Sequence, residues 1–485
     1  MQQQTKWSQF GTLVTVFFFW GFVAASNDIL IPVFKESLHM AQWQAQMISF
    51  SFYVAYTVGA VIYYLISKAS GGDILNRLGY KNGIAVGLII SAIGALLFYP
   101  AAMSASFGFL ITGLFIIGLG YSLQQTAANP LAIIMGDPAS GAQRLSMAGG
   151  INNFGTTIGP LIVSIAIFGS AKAAAGVTKV ASISSVKTPY LILGAAFLLI
   201  ALVFKFSSLP NKINLDQTGA EDASDAGKLK HRSSPLKYPQ LALGMLAIFI
   251  YVGVEVSTAS NLPLFMKLKL GTPTDEAAPF VSLYWASLMI GRWTASVGAF
   301  GISDTAKKVL NFIMPFIAFG VFLVVNLIAG HDLKPFAIYP LIIVVMIVGD
   351  ILSKGNPARQ LLIFSLMGIT ALLIGIFAEG MISVYAFTSV GLFCSTLWPC
   401  IFTLAISGLG KHTNEGSNFL IMMIMGGGVI SLLQGALADS SLGVQYSYFV
   451  GVACFVYLAY YAVRAKKELI SQGIDFDALR AAGGH

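Results

Sequence analysis

The chain has 485 residues, 56% hydrophobic and only 10% charged, with a mean hydropathy of +0.79. A soluble domain carries about 25% charged residues, so a water-facing globular surface is excluded. The formal charge of +8 is no sign of nucleic acid, because the lysines and arginines sit in short loops between apolar runs, the pattern that orients a membrane protein.

The N-terminus, MQQQTKWSQF, leads into an apolar stretch containing Asn27 and Asp28. It lacks the short apolar region and cleavage site of a secretory signal, so it reads as a permanent span. Further apolar runs of about 20 residues, enough to cross a bilayer, follow in order. With the first at 10–34, the spans fall near 47–67, 83–103, 108–135, 144–169, 189–208, 239–265, 278–300, 308–329, 335–352, 358–378, 380–407, 416–438 and 443–463. Fourteen spans predict an all-α membrane protein with both termini on one side. The loops 68–82, 301–308 and 353–359, the stretch 209–238 and the tail after 463 are basic and share a face, which is therefore expected to be cytoplasmic. The loop 170–188, with Lys172, Lys179 and Lys187, runs against that assignment.

The stretch 209–238 has the mixed polar composition of a solvated linker. Gly21 and Gly59 match Gly253 and Gly291 at an offset of 232 residues; Pro130 matches Pro399 at 269, and Ser146 and Gly155 match Ser417 and Gly426 at 271. The offset grows by roughly 38 residues, which at about 1.5 Å per helical residue makes two short spans. The expected organisation is an N-terminal six-helix half (1–208), the linker (209–238), a C-terminal half (239–463) interrupted by an inserted hairpin (308–352), and a tail (464–485). Two parallel six-helix repeats around a central linker resemble the plan of the major facilitator transporters. The hairpin is expected outside the core, against lipid or a second subunit.

An intramembrane carboxylate is costly and marks a cavity or a partner. Asp28 and Glu255 qualify; Arg292, Asp350 and Glu379 sit nearer span ends, where long side chains snorkel. The five histidines, 39, 231, 331, 412 and 485, fall in loops or the tail, so a proton relay would use carboxylates. Gln125 and Asn129 share a helix face with Tyr121. Asn152 and Asn153 precede Gly155 and Gly159, spaced for close helix approach, and Asn27 adjoins Asp28. Amides and carboxylates suit sugar hydroxyls, and Trp20, Tyr251, Tyr284, Trp285 and Trp398 offer rings for the C–H faces. The plainer reading of a single amide is a bond between helices; Trp7 and Trp43 read as interfacial anchors, and Phe17–Phe19 as lipid or helix contacts. Cys394, Cys400 and Cys454 suggest neither a disulfide nor a metal site. No His/Cys cluster or nucleophile–base pair appears, so neither an enzyme nor a cofactor is expected. The loop GGDILNRLGYK (71–81) resembles the cytoplasmic loop signature of major facilitators, with Asn76 where an acid is usual, and is read as structural and gating.

The segments FFFWGFVAASNDILIP (17–32), QTAANP (125–130), RLSMAGGINNFGTTIGP (144–160), YVGVEVS (251–257), GRWTAS (291–296), WPCIFTLAISGLGKHTNEGS (398–417) and GGGVISLLQGALAD (426–439) resemble the fucose–galactose–glucose:proton symporters. By this resemblance Asp28 matches the family's first-span acid, Asn129-Pro130 its fourth-span pair and Asn152 its fifth-span Asn. The fucose permease branch has an acid where this chain has Gln125 and a Gln where it has Gly149, so the glucose/galactose branch is the nearer likeness. It implies uptake of a hexose, glucose or galactose first and mannose next, by cation-coupled symport across a bacterial inner (plasma) membrane. The expected substrate-binding residues are Asn27, Asp28, Gln125, Asn129, Asn152, Glu255, Tyr284, Trp285 and Trp398, with Asp28 and Glu255 coupling to protons. Sodium in place of protons, an N-acetylglucosamine or fucose permease, and an exporter of another small molecule remain as alternatives.

Overall fold

In the computed structural model the residues described are 5–37, 42–168, 187–211 and 232–478; the loop residues 169–186, the linker residues 212–231 and the side chains of Asn27, Asp28 and Trp43 lie outside them. The chain is all-helical, without a strand among the described residues. Its main helices are α1 (Trp7–Ser37), α2 (Gln42–Ala69), α3 (Tyr80–Ser104), α4 (Phe107–Ile134), α5 (Gly141–Phe168), α6 (Lys187–Phe206) and α7 (Pro239–Leu270). There follow α8 (Thr274–Ser296), α9 (Asp304–Ala329), α10 (Lys334–Ser353), α11 (Pro357–Phe377), α12 (Met381–Ile406), α13 (Gly410–Asp439) and α14 (Gly443–Ser471). Among the described residues, 12 helices are long and apolar enough to cross a membrane. The two main helices outside that dozen are α5, which carries Arg144, Asn152, Asn153, Thr156 and Thr157, and α8, which carries Glu276, Ser282, Ser287 and Arg292. Of these, Asn152, Asn153, Thr156, Thr157, Ser282 and Arg292 line the site described below.

Two bundles form. In one, α1 lies along α5, and α3 packs on α4 and α6; in the other, α7 packs on α12, α13 and α14. Glycines set the closest approaches. A β-carbon on Gly21 of α1 would collide with the Asn152 carbonyl of α5, and one on Gly155 with the Phe18 carbonyl of α1. The same relation recurs between α7 and α13, where Gly253 abuts Ile430 and Gly426 meets the Phe249 carbonyl. Gly59 of α2 fits against Ser122 of α4, as Gly291 of α8 fits against Ser395 of α12. Small residues at these crossings let the backbones touch, and dispersion then holds helices together where lipid offers no hydrophobic drive.

Helices α9 and α10 flank the second bundle. α9 packs chiefly on α8 and reaches α5, while α10 contacts α11 and α12. Their outward faces expose Phe312, Val324, Leu327, Leu341 and Ile351, as a lipid-facing surface does. The hairpin is not wholly peripheral, however, because the last turn of α9 reaches the interior. Cys394, Cys400 and Cys454 are free and buried.

The bundles meet through α5 with α8 and through α2 and α4 with α13. At the end where α2 stops and α3 begins, polar bonds tie them together. Tyr80 donates to Asn414 Oδ1 (2.7 Å), and Asn414 Nδ2 to Asn76 Oδ1 (2.9 Å). Nearby, Asn418 Nδ2 donates to the Ala60 carbonyl (2.9 Å), Ser417 to the Thr126 carbonyl (2.9 Å) and Gln143 Nε2 to the Gly355 carbonyl (3.0 Å). Asn76, standing where an acid is usual, therefore accepts a neutral amide from the opposite bundle. The loop before it is held by Asp73, which caps the short helix Ile74–Leu78 through the Leu75 N–H (2.8 Å) and accepts from Tyr63 (2.6 Å). Burial raises this carboxyl above its ordinary range, against the pull of those two bonds.

Candidate functional site

Between the bundles lies a cavity of about 690 Å³, within the usual range for small-molecule sites. Its wall is built by α1, α2, α4 and α5 on one side and α7, α8, α9, α12 and α13 on the other. It runs from the middle of the molecule to the end at which α8 begins and α9 finishes, where Ala278, Ala329 and His331 line it. The opposite end is shut by the bonds around Asn76 and Asn414.

Arg292 dominates its polarity. Only 8% exposed, it donates from Nε to the Ser395 carbonyl (2.8 Å), from Nη1 to Asn153 Oδ1 (2.7 Å) and from Nη2 to the Tyr251 hydroxyl (3.3 Å). These partners belong to both bundles, so one guanidinium bridges them. Gly149 makes room for it, since a β-carbon there would lie 3.0 Å from Nη1. Glu255 lies one turn further along α7 from Tyr251, and the charge of Arg292 and the Tyr251 hydroxyl both act on its carboxylate electrostatically. Among the described residues no ion pair within 4 Å joins Glu255 and Arg292 directly.

Most of the sequence-selected residues converge here. Gln125, Asn129, Asn152, Glu255, Trp285 and Trp398 all line the cavity. Gln125 Nε2 donates to Tyr56 (2.9 Å), and Asn152 Nδ2 to the Phe17 carbonyl of α1 (3.0 Å). Asn129 is 2% exposed and its Nδ2 has no partner. A buried donor left unpaired costs about 1–3 kcal/mol. The rings of Trp20, Trp285 and Trp398 stand at the wall, with Tyr251 against Trp398 at a centroid distance of 6.2 Å.

Tyr284, expected at the wall, is instead buried behind it. Successive helical residues point about 100° apart, so with Trp285 on the cavity Tyr284 faces inward and donates to the Glu255 carbonyl (2.9 Å). It supports the turn of α7 that carries Glu255. Asn27 and Asp28 lie in α1 beyond the described side chains. Arg292, expected to snorkel, is a wall residue, and Phe17, expected to face lipid or a neighbouring helix, lines the cavity as well. Tyr53, Tyr56, Asn326 and His331 were not selected from the sequence; the three-residue spacing of the two tyrosines, one helix face, was the available signal.

Residues 10–349 match the Major Facilitator Superfamily. The glucose/galactose transporter of Brucella abortus is 31% identical over 459 residues, 94% of each chain. The L-fucose-proton symporter of Escherichia coli is 27% identical, over 93% of this chain and 92% of that one. FucP, the E. coli fucose:proton symporter, solved in the outward conformation, superposes with a TM-score of 0.68 at 26% identity, over 94% of this chain and 98% of its own.

Proposed function

This chain belongs to the Major Facilitator Superfamily, and on that basis we propose that it imports a hexose, glucose or galactose, by proton-coupled symport with alternating access. The observation that carries this reading is the cavity itself: among the described residues, amides, one carboxylate and one guanidinium set among three indole rings, between two bundles bonded shut at one end. Neutral amides and hydroxyls recognise a polyhydroxylated solute without a net charge, and the rings cover its C–H faces. The names of the relatives, glucose/galactose transporter and L-fucose-proton symporter, point the same way.

In this reading all fourteen helices cross the bilayer, including α5 and α8, which turn Asn152, Asn153, Thr156, Thr157, Ser282 and Arg292 to the cavity. Residues 1–208 and 239–463 are the two repeats, 209–238 the linker, 308–352 the insertion and 464–485 the tail, with both termini cytoplasmic. The membrane is a bacterial inner membrane. The cavity then opens outward, and the bonds from Asn76, Tyr80 and Gln143 form the cytoplasmic gate. Asn27, Asp28, Gln125, Asn129, Asn152, Glu255, Trp285, Trp398 and Arg292 bind substrate, Tyr284 positions Glu255, and Asp28 and Glu255 couple the proton.

Counterflow tests the substrate class. Liposomes loaded with unlabelled glucose are expected to take up labelled glucose transiently, with galactose and mannose competing and lipophilic cations not. Competition by the cations alone would move the protein to an exporter reading.

A further inference from the structure

The inserted hairpin has no counterpart in a six-plus-six plan, yet Val325, Asn326, Ala329 and His331 line the cavity. The chain places His331 there by a helix stop. Gly330 takes φ +86°, a left-handed conformation suited to glycine. The His331 N–H then returns to the Asn326 carbonyl (3.0 Å). This folds the imidazole back on the last turn of α9, with Nδ1 at 2.8 Å from Asn326 Oδ1.

The tautomer follows from Asn326. Its Nδ2 donates to the Phe322 carbonyl (3.0 Å), which leaves Oδ1 as the atom facing His331. An oxygen there requires a proton on Nδ1, so Nε2 carries the lone pair. Burial holds His331 below the ordinary imidazole range, which favours its neutral form. Nε2 is covered and has no partner. A fixed, unpaired acceptor thus lies just beneath the wall that His331 helps to line, beside the helix that carries Ser282, Trp285 and Arg292.

We propose that the inserted hairpin completes the substrate site, with His331 Nε2 accepting a hydrogen bond from one substrate hydroxyl at the outer end of the cavity. The assignment rests on the sugar reading above. It makes the insertion a specificity element: a solute lacking that hydroxyl leaves Nε2 unpaired, whereas one carrying it satisfies the nitrogen.

The test is initial-rate uptake into liposomes by wild type, His331→Ala and His331→Gln, using glucose and its series of monodeoxy analogues. His331→Ala is expected to raise KM for glucose about fivefold with turnover little changed. One analogue that wild type handles poorly should be handled equally well or poorly by both proteins, because its missing hydroxyl and the missing imidazole remove the same bond. His331→Gln, whose Oε1 can accept, should restore part of the KM, and it serves as the test protein if the alanine variant does not fold. Unchanged KM ratios for glucose and every analogue, in a wild type that transports normally, would overturn the assignment alone. A wild type that moves no hexose would sink the sugar reading and the assignment together.

Discussion

Replacing Arg292 with alanine is expected to cut the rate of hexose counterflow at least a hundredfold. The guanidinium holds Asn153 in one bundle and Ser395 and Tyr251 in the other. Its loss strips three acceptors of their donor and leaves Glu255 without the nearby positive charge. Each buried group left without its hydrogen-bond partner costs about 1–3 kcal/mol, and each 1.4 kcal/mol is roughly a factor of ten. Arg292→Lys keeps the charge but not the planar fork that reaches separate partners, so it should recover only part of the rate. The cost falls on function more than on folding, because the close α1–α5 and α7–α13 crossings do not involve this residue. Counterflow by Arg292→Ala within threefold of wild type, at equal reconstituted protein, would show that the bridge between the bundles is dispensable.

Replacing Glu255 with glutamine is expected to abolish accumulation against a gradient while exchange of labelled for unlabelled hexose continues. The amide keeps the shape of the side chain, but it cannot exchange a proton. Coupling requires that the protonated and ionised forms prefer different conformations or bind sugar differently; a group fixed in one form removes that difference. Glu255 suits the role because the Arg292 side chain that acts on it is itself bonded across the bundle interface, so rocking of the bundles changes the field at the carboxylate. Asp28→Asn is the matching variant in α1 and should show the same split. Undiminished proton-driven accumulation by Glu255→Gln would leave the coupling with Asp28.

Much of the fold was legible because a bilayer imposes a simple requirement: some twenty apolar residues per crossing. The spacing of Gly21, Gly59, Gly253 and Gly291 was legible for a related reason, since a glycine at a helix crossing has no substitute when the partner backbone lies against it. The runs at 144–169 and 278–300 are diluted by polar residues, since α5 and α8 supply Asn152, Asn153 and Arg292 to the cavity, and among the described residues these two fall outside the 12 helices apolar enough to cross a membrane. A helix that faces a wet interior looks less like a membrane span.

The site was legible in its amides and less so in its charges. Asn129 and Asn152 stood out as polar groups within apolar runs. Arg292 near the end of a run could not be told from a snorkelling residue, because only the packing of α5 on α8 turns it inward. Tyr284 and Trp285 were equivalent as sequence, and helical phase separated them. The role of the hairpin depended on a turn at Gly330 whose direction no periodicity encodes.

Proton-coupled sugar entry through this cavity is tested most directly by uptake of labelled glucose into liposomes under an imposed proton gradient, compared with an imposed sodium gradient. Accumulation above equilibrium with the proton gradient, and none with sodium, is the predicted result. Accumulation with sodium alone would contradict proton coupling and make Asp28 and Glu255 an ion site, and the absence of sugar-dependent flux under either gradient would contradict the substrate assignment itself.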